Sequence, residues 1–381
     1  MMAPAHGDGT REPLRIGVVG GGFIAQAVHL PLLRELGGWF RLEAIAEPSR
    51  RVRDALAARY AIAGVHAGHR ELLDAGGLDA VVVCAPNALH ERIVLDALDA
   101  GLHVLVEKPL CLSAAGAERI AARAAASPRV VQVGYMKRFA PAYEALLDDL
   151  RSASTEVVHV ASLTCDPRLA AQFAPRGLVR GDDVPRHAAA ELAATLTHQA
   201  AEAAGCDDPG LAAAYSEAFA GALVHDVNAV HGMLDALGVT RGEPVDAYGD
   251  PAAELASGSV ALPGGARWTM AWALVEQAGA FSERIELLTR DGLRTMRFPA
   301  PYLRAAPVEY THARAAGATG VRTSGTAAVA DPYERQLRHF HACVTAGATC
   351  RTPPAQAARD LALLGELFAL GLAREAIGAP A

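Results

Sequence analysis

Basic residues are in the minority in this chain: 35 Lys and Arg stand against 42 Asp and Glu, a formal net charge of −7. A nucleic-acid partner, which normally needs a basic face, is therefore not expected. Long apolar runs are missing too. No uninterrupted stretch is long enough to cross a bilayer, so no membrane partner is expected. Residues 1–12 lack the apolar core of a signal peptide and are expected to be a frayed tail. Cysteine is sparse. Cys84, Cys111, Cys165, Cys206, Cys343 and Cys350 are scattered with no CxxC spacing, which offers neither a disulfide framework nor a zinc site and fits a reduced, cytoplasmic protein. Internal repeats and low-complexity tracts are also absent.

What is present is 381 residues, 51% hydrophobic and 20% charged, enough for about two domains with a large core. The first third alternates strand and helix patterns. Leu14–Val19, Arg41–Ala46, Leu78–Cys84, Gly101–Val106 and Arg129–Val133 read as strands. Helices are expected over 24–36, 50–60, 90–100 and 113–126. This βαβ order predicts a Rossmann-type, doubly wound parallel sheet over 13–138. After Phe139 the pattern changes. Helices over 141–150, 188–205 and 211–237 precede hairpin signals at Pro263-Gly264-Gly265 and Asp291-Gly292. Helices over 332–346 and 354–376 close the chain. Residues 139–381 are thus expected to form an α+β domain with a large, open, mostly antiparallel sheet. The Gly/Ala/Thr-rich stretch 311–326 reads as a mobile loop.

Gly20, Gly22 and Ala25 fit G-x-G-x-x-[GA] directly after a strand and at the start of a helix. The first glycine allows the tight turn and the second lets the backbone approach a pyrophosphate. The small third residue lets helix and strand pack closely, and the helix N-terminus attracts phosphate. Glu47, at the end of the second strand, can accept from both adenosine ribose hydroxyls and would repel a 2′-phosphate, which favours NAD. Arg50 and Arg51 follow closely, so NADP is not excluded; their plainer role is a solvated first helical turn. Lys108 closes another strand, in Glu107-Lys108-Pro109, where ligands of open α/β sheets bind and one side chain can reach both cofactor and substrate. Asn87 and His90 can bind the ribose or nicotinamide edge, or cap the following helix.

Together these residues resemble the glucose–fructose oxidoreductase / inositol dehydrogenase (Gfo/Idh/MocA) family. Ala85-Pro86-Asn87-Ala88-Leu89-His90 is similar to its (T/A)-P-N-x-x-H segment. Residues 100–109 are similar to its A-G-K-H-V-x-x-E-K-P signature, and Gly134-Tyr135-Met136-Lys137-Arg138-Phe139 to its G-(F/Y)-M-R-R-F segment. The resemblance extends to the C-terminal helices. It implies a tightly held nicotinamide cofactor, with Gly20, Gly22, Phe23, Ile24, Ala25, Glu47, Arg50, Ala85, Pro86, Asn87, His90, Glu107, Lys108 and Pro109 at its site. It also implies a carbohydrate or cyclitol substrate and a homodimer or homotetramer built through the open sheet.

One departure stands out. The family usually carries Asp-x-x-x-His in its second domain. The histidine maps to His225, but the aspartate maps to Gly221, which cannot titrate. Asp226 is adjacent to His225 and is not its equivalent, because neighbours point to different faces of a helix. The expected acid–base residues are therefore Lys108 and His225, with Tyr135 as a third candidate. Lys108, Tyr135, Lys137, Arg138, Arg168, His225 and Asp226 are the expected substrate contacts. Asp166, Arg176, Asp182 and Asp183 are added if the loop 166–185 lines the pocket rather than being a solvated connection. The expected activity is hydride transfer between NAD(P) and a secondary alcohol or ketone of a sugar, sugar nucleotide, aminoglycoside or cyclitol. Two alternatives remain open: a redox-neutral epimerase, lyase or glycosidase that oxidises its substrate transiently, and a cofactor-binding regulatory homologue.

Overall fold

The computed structural model describes residues 12–168, 177–206, 208–303, 306–317, 319–326 and 330–378. The N-terminal tail and Arg176 lie outside them. Six strands form a parallel sheet: β1 (Leu14–Val19), β2 (Phe40–Ala46), β3 (Gly64–His66), β4 (Ala80–Val83), β5 (His103–Val106) and β6 (Val131–Val133). Their order is β3-β2-β1-β4-β5-β6. Continuous β-branched runs such as Ala80–Val83, buried along their whole length, are what a sheet covered on both faces requires. The order reverses between β1 and β4. The crevice beyond their carboxyl ends is where such sheets bind ligands, and Gly20, Ala85 and Lys108 all follow strands there. The short strand β3 and the helix His69–Ala75 were not foreseen, being too short to build a periodic signal.

The second sheet has eight strands. They are β7 (Val157–Asp166), β8 (Glu243–Gly249), β9 (Leu255–Ala261), β10 (Arg267–Leu274), β11 (Ser282–Thr289), β12 (Gly292–Phe298), β13 (Glu309–Ala316) and β14 (Thr319–Thr326), in the order β14-β13-β12-β11-β7-β10-β9-β8. All neighbours are antiparallel except β7 and β10. The period-2 pattern buries Val160, Trp268, Met270, Ile285, Leu287, Met296 and Phe298 on one face, while Leu163 and Leu288 are exposed on the other. Strands β13 and β14 correct the expected loop over 311–326. Their residues are mostly half-buried or exposed, so they carry no apolar alternation by which a strand can be read.

Helices line the covered face. The segment expected as a helix over 211–237 is α-helical over Pro209–Ala214, winds as a π-helix over Tyr215–Leu223 and returns to α over Val224–Ala236. The closing helices fold back onto the first sheet. Val133 N–H donates to Thr352 O at 2.9 Å and Thr352 Oγ1 donates to Val133 O at 2.8 Å, which covers the edge strand β6. One buried apolar cluster runs from Val83 and Val106 through Leu223 and Trp268 to Leu361, so both sheets share a core. No helix among the described residues is long and apolar enough to cross a membrane.

Candidate active site

The glycine turn begins at Gly20, whose φ of +97° is open to glycine but strained for other residues. A Cβ there would lie 2.6 Å from Cys84 O, so the turn also needs the close approach to the end of β4. At Gly22 a Cβ would meet nothing within 4 Å. That open space beside bare backbone is a cradle that fits a dinucleotide pyrophosphate. Glu47 is already engaged: Gly21 N–H donates to its Oε2 at 2.8 Å and Ser49 N–H to its Oε1 at 2.9 Å. Phe23 packs edge-on against Tyr302, ring centroids 4.9 Å apart. Ile24 precedes a short π-helix, Ala25–His29. Arg50 is exposed and paired with Asp54 at 3.3 Å.

Ala85 and Pro86 lead into the helix Asn87–Asp99. The buried His90 turns away from the crevice, with Nδ1 2.8 Å from Pro109 O and Nε2 2.7 Å from Ala85 O. Burial pushes its pKa down, and a neutral ring can donate to only one of the two carbonyls. His90 therefore braces the two strand-end loops. Glu107 is buried and held by His29 Nε2 at 2.7 Å. A Cβ on Gly134 would press on this carboxylate at 3.1 Å.

Lys108 crosses to the second domain. Its Nζ donates to the main-chain carbonyl of Gly221 at 2.9 Å, inside the π-wound stretch. Desolvation lowers the Lys108 pKa, Glu107 opposes the shift and the charge of Lys137 adds to it. His225 lies four residues beyond Gly221, close to the same helix face. Its pKa falls well below the ordinary imidazole value through desolvation first, then through Lys108 and Lys137. The buried His225 Nδ1 has no hydrogen-bond partner among the described residues. The downward shift moves Lys108 toward the range useful for proton transfer and keeps His225 a neutral imidazole, free to accept a hydrogen bond or a proton.

Beneath them lies a buried ionic cluster. Lys137 Nζ contacts Asp226 Oδ1 at 3.4 Å and bonds to Glu283. Thr164 Oγ1 donates to Asp226 Oδ2 at 3.0 Å. Burial drives the Glu283 carboxyl pKa up, against the pull of Lys137. One ammonium is shared by two buried carboxyl groups, which favours the neutral form of Glu283. Glu283 pairs with Thr164 in the β11–β7 register, which fixes the cluster on the covered face. Lys137 and Glu283 also line a cavity closed by Phe298, Pro301, Tyr302 and Tyr333.

Several expected substrate residues sit elsewhere. Tyr135 is 1% exposed and packs in the apolar core, with its hydroxyl pKa pushed far up by burial and further by Asp360. Arg138 donates from Nη1 to Asn228 O at 3.1 Å and stacks over Tyr143, bracing the helix Val224–Ala236. Arg168 is exposed and paired with Glu276 at 2.8 Å. Asp182 and Asp183 reach the start of the helix Arg50–Tyr60, on the nucleotide side. Sequence reasoning missed Glu283, Thr164 and Tyr302. The first had a signal: Glu283 shares the strand face of Ile285 and Leu287, and an acid on an apolar face asks for a buried partner.

The fold, the glycine turn and the strand-end lysine define a dinucleotide-binding architecture. Residues 14–135 match the GFO_IDH_MocA family model, described as an oxidoreductase family with an NAD-binding Rossmann fold, which places the nucleotide-binding part of the chain in that family. Over 142 residues it is 38% identical to the putative oxidoreductase YceM of Salmonella typhimurium, covering 37% of this chain and 45% of that one. Over 132 residues it is 40% identical to inositol 2-dehydrogenase/D-chiro-inositol 3-dehydrogenase of Shouchella clausii, covering 34% and 38%. The chain thus spans less than half the length of these curated relatives. Among solved structures, GenD2 from gentamicin A biosynthesis, in complex with NAD, superposes with TM-score 0.70 at 22% identity over 98% of this chain and 97% of that one. KijD10, a 3-ketoreductase from Actinomadura kijaniata in complex with NADP and TDP-benzene, gives 0.69 at 21% identity over 93% and 96%. At these identities the likeness extends the fold, and the fold alone, over both domains.

Proposed function

We propose that the chain is an NAD(P)-dependent dehydrogenase acting on a secondary alcohol or ketone of a sugar, sugar nucleotide, aminoglycoside or cyclitol. The observation that carries this reading is the Lys108 ammonium at 2.9 Å from Gly221 O. It brings the strand-end lysine of the nucleotide domain to the helix that bears His225. Gly20, Gly22, Glu47, Asn87 and the main chain at Pro109 would hold the cofactor, which when bound supplies the hydride acceptor or donor. Lys108 would hold the substrate oxygen and exchange its proton, helped by a depressed pKa. His225 would serve as the second proton carrier at the same oxygen. Lys137, fixed by Asp226 and Glu283, would keep a positive field beneath them and hold both pKa values down.

The pairing of Glu47 with the glycine turn supports NAD over NADP. The names of the curated relatives, inositol 2-dehydrogenases among them, support the substrate class. The exposed face bearing Leu163 and Leu288 is the surface on which we place self-association. The test is direct: purified protein with NAD and a panel of sugars and cyclitols should develop reduced-nicotinamide absorbance. Silence across the panel in both directions, with either cofactor, would overturn the reading.

A further inference from the structure

Resting on that reading, we infer that residues 177–183 of the second domain form a clasp over the adenosine end of the cofactor site, and that Asp183 selects NAD against NADP. The segment is tied to the nucleotide domain along its length. Arg59 Nη2 donates to Gly177 O at 3.2 Å. Gln26 brackets Val179, donating from Nε2 to its carbonyl and accepting from its N–H, both at 2.9 Å. The same Nε2 donates to Gly21 O of the glycine turn at 2.7 Å. A Cβ on Gly181 would overlap the Ser49 side chain, so only glycine lets the clasp lie this close.

The clasp ends in two carboxylates. Ser49 Oγ donates to Asp183 Oδ1, Arg51 N–H donates to Asp183 Oδ2 at 2.9 Å, and Arg51 Nη1 reaches Asp182 at 3.3 Å. Ser49 caps the 11-residue helix Arg50–Tyr60 and is followed by two arginines. A capping hydroxyl, a free helix N–H and guanidinium groups are the donors that a 2′-phosphate takes. Here Asp183 and Asp182 already occupy them. Glu47 lies alongside, bonded to Ser49 N–H at 2.9 Å. A cofactor with a free ribose 2′-hydroxyl leaves this arrangement standing. One with a 2′-phosphate must displace Asp183 and meets the repulsion of two carboxylates. The chain therefore carries donors suited to NADP and neutralises them from its other domain.

Fluorescence titrations with NADH and NADPH test this without any substrate. Wild type should bind NADH more tightly. Asp183→Asn, which removes the charge, and Gly181→Ala, which lifts the clasp but keeps the charge, should each tighten NADPH by about tenfold while moving NADH by less than about threefold. Adding Arg51→Ala to Asp183→Asn should cancel the gain. An unchanged ratio of the two affinities in both single variants, with NADH still bound, would overturn the clasp and leave the dehydrogenase reading intact. A wild type that prefers NADPH would do the same. A wild type that binds neither nucleotide would overturn both.

Discussion

The Lys108 ammonium donates to the main-chain carbonyl of Gly221 at 2.9 Å, at the position where the family resemblance implies a carboxylate. The glycine is required by the local winding. A Cβ at Gly221 would lie 2.8 Å from Ser216 O, five residues back, within the wide turns of the π-helix. Gly221→Asp should therefore not restore a proton relay. We expect it to cost about 1–3 kcal/mol of stability through overpacking. Chemical denaturation checks this; a variant as stable as wild type would show that the π winding yields readily.

The ionic cluster gives a second prediction. Lys137→Met leaves Asp226 and Glu283 buried without their cation and should cost about 3–5 kcal/mol. Adding Glu283→Gln removes one of the two stranded acids and should recover part of that loss. Urea unfolding of the two single variants and the double variant supplies the coupling. Strict additivity would mean that Lys137 and Glu283 do not share a proton-and-charge balance.

His225 gives a pH dependence with a definite sign. Its folded pKa lies well below 6.5, so between that pKa and 6.5 the unfolded chain binds more protons. Stability then rises with pH through that window and is lost on acidification below about 6.5. His225→Gln removes this linkage. The fall in Tm between about pH 8 and about pH 5 should be smaller in the variant than in wild type by a few degrees. Equal falls would mean that the imidazole titrates alike in both states.

The sequence made the nucleotide domain readable because strands such as Ala80–Val83 are continuous apolar runs and the glycine turn lies directly behind β1. The second domain was readable where apolar alternation is strong, as in β10 and β11. It failed at β13 and β14, whose polar edge hairpin hides its period. At the site, Lys108 and His225 were legible from motif and spacing. The π winding behind Gly221 was not, since it leaves only a glycine in a helical pattern. Glu283 and Lys137 meet across 146 residues, a pairing that no local pattern records. Asp183 lies 134 residues from Ser49, in a segment without periodicity, so the sequence left it open between a pocket lining and a solvated connection.

The most direct test of the account is Lys108→Met, measured for both cofactor binding and turnover on whichever sugar or cyclitol the wild type oxidises. NADH affinity should stay within about threefold of wild type while turnover falls by about 10²–10⁴. Turnover within about threefold of wild type, with binding intact, would contradict Lys108 as the residue that handles the substrate proton.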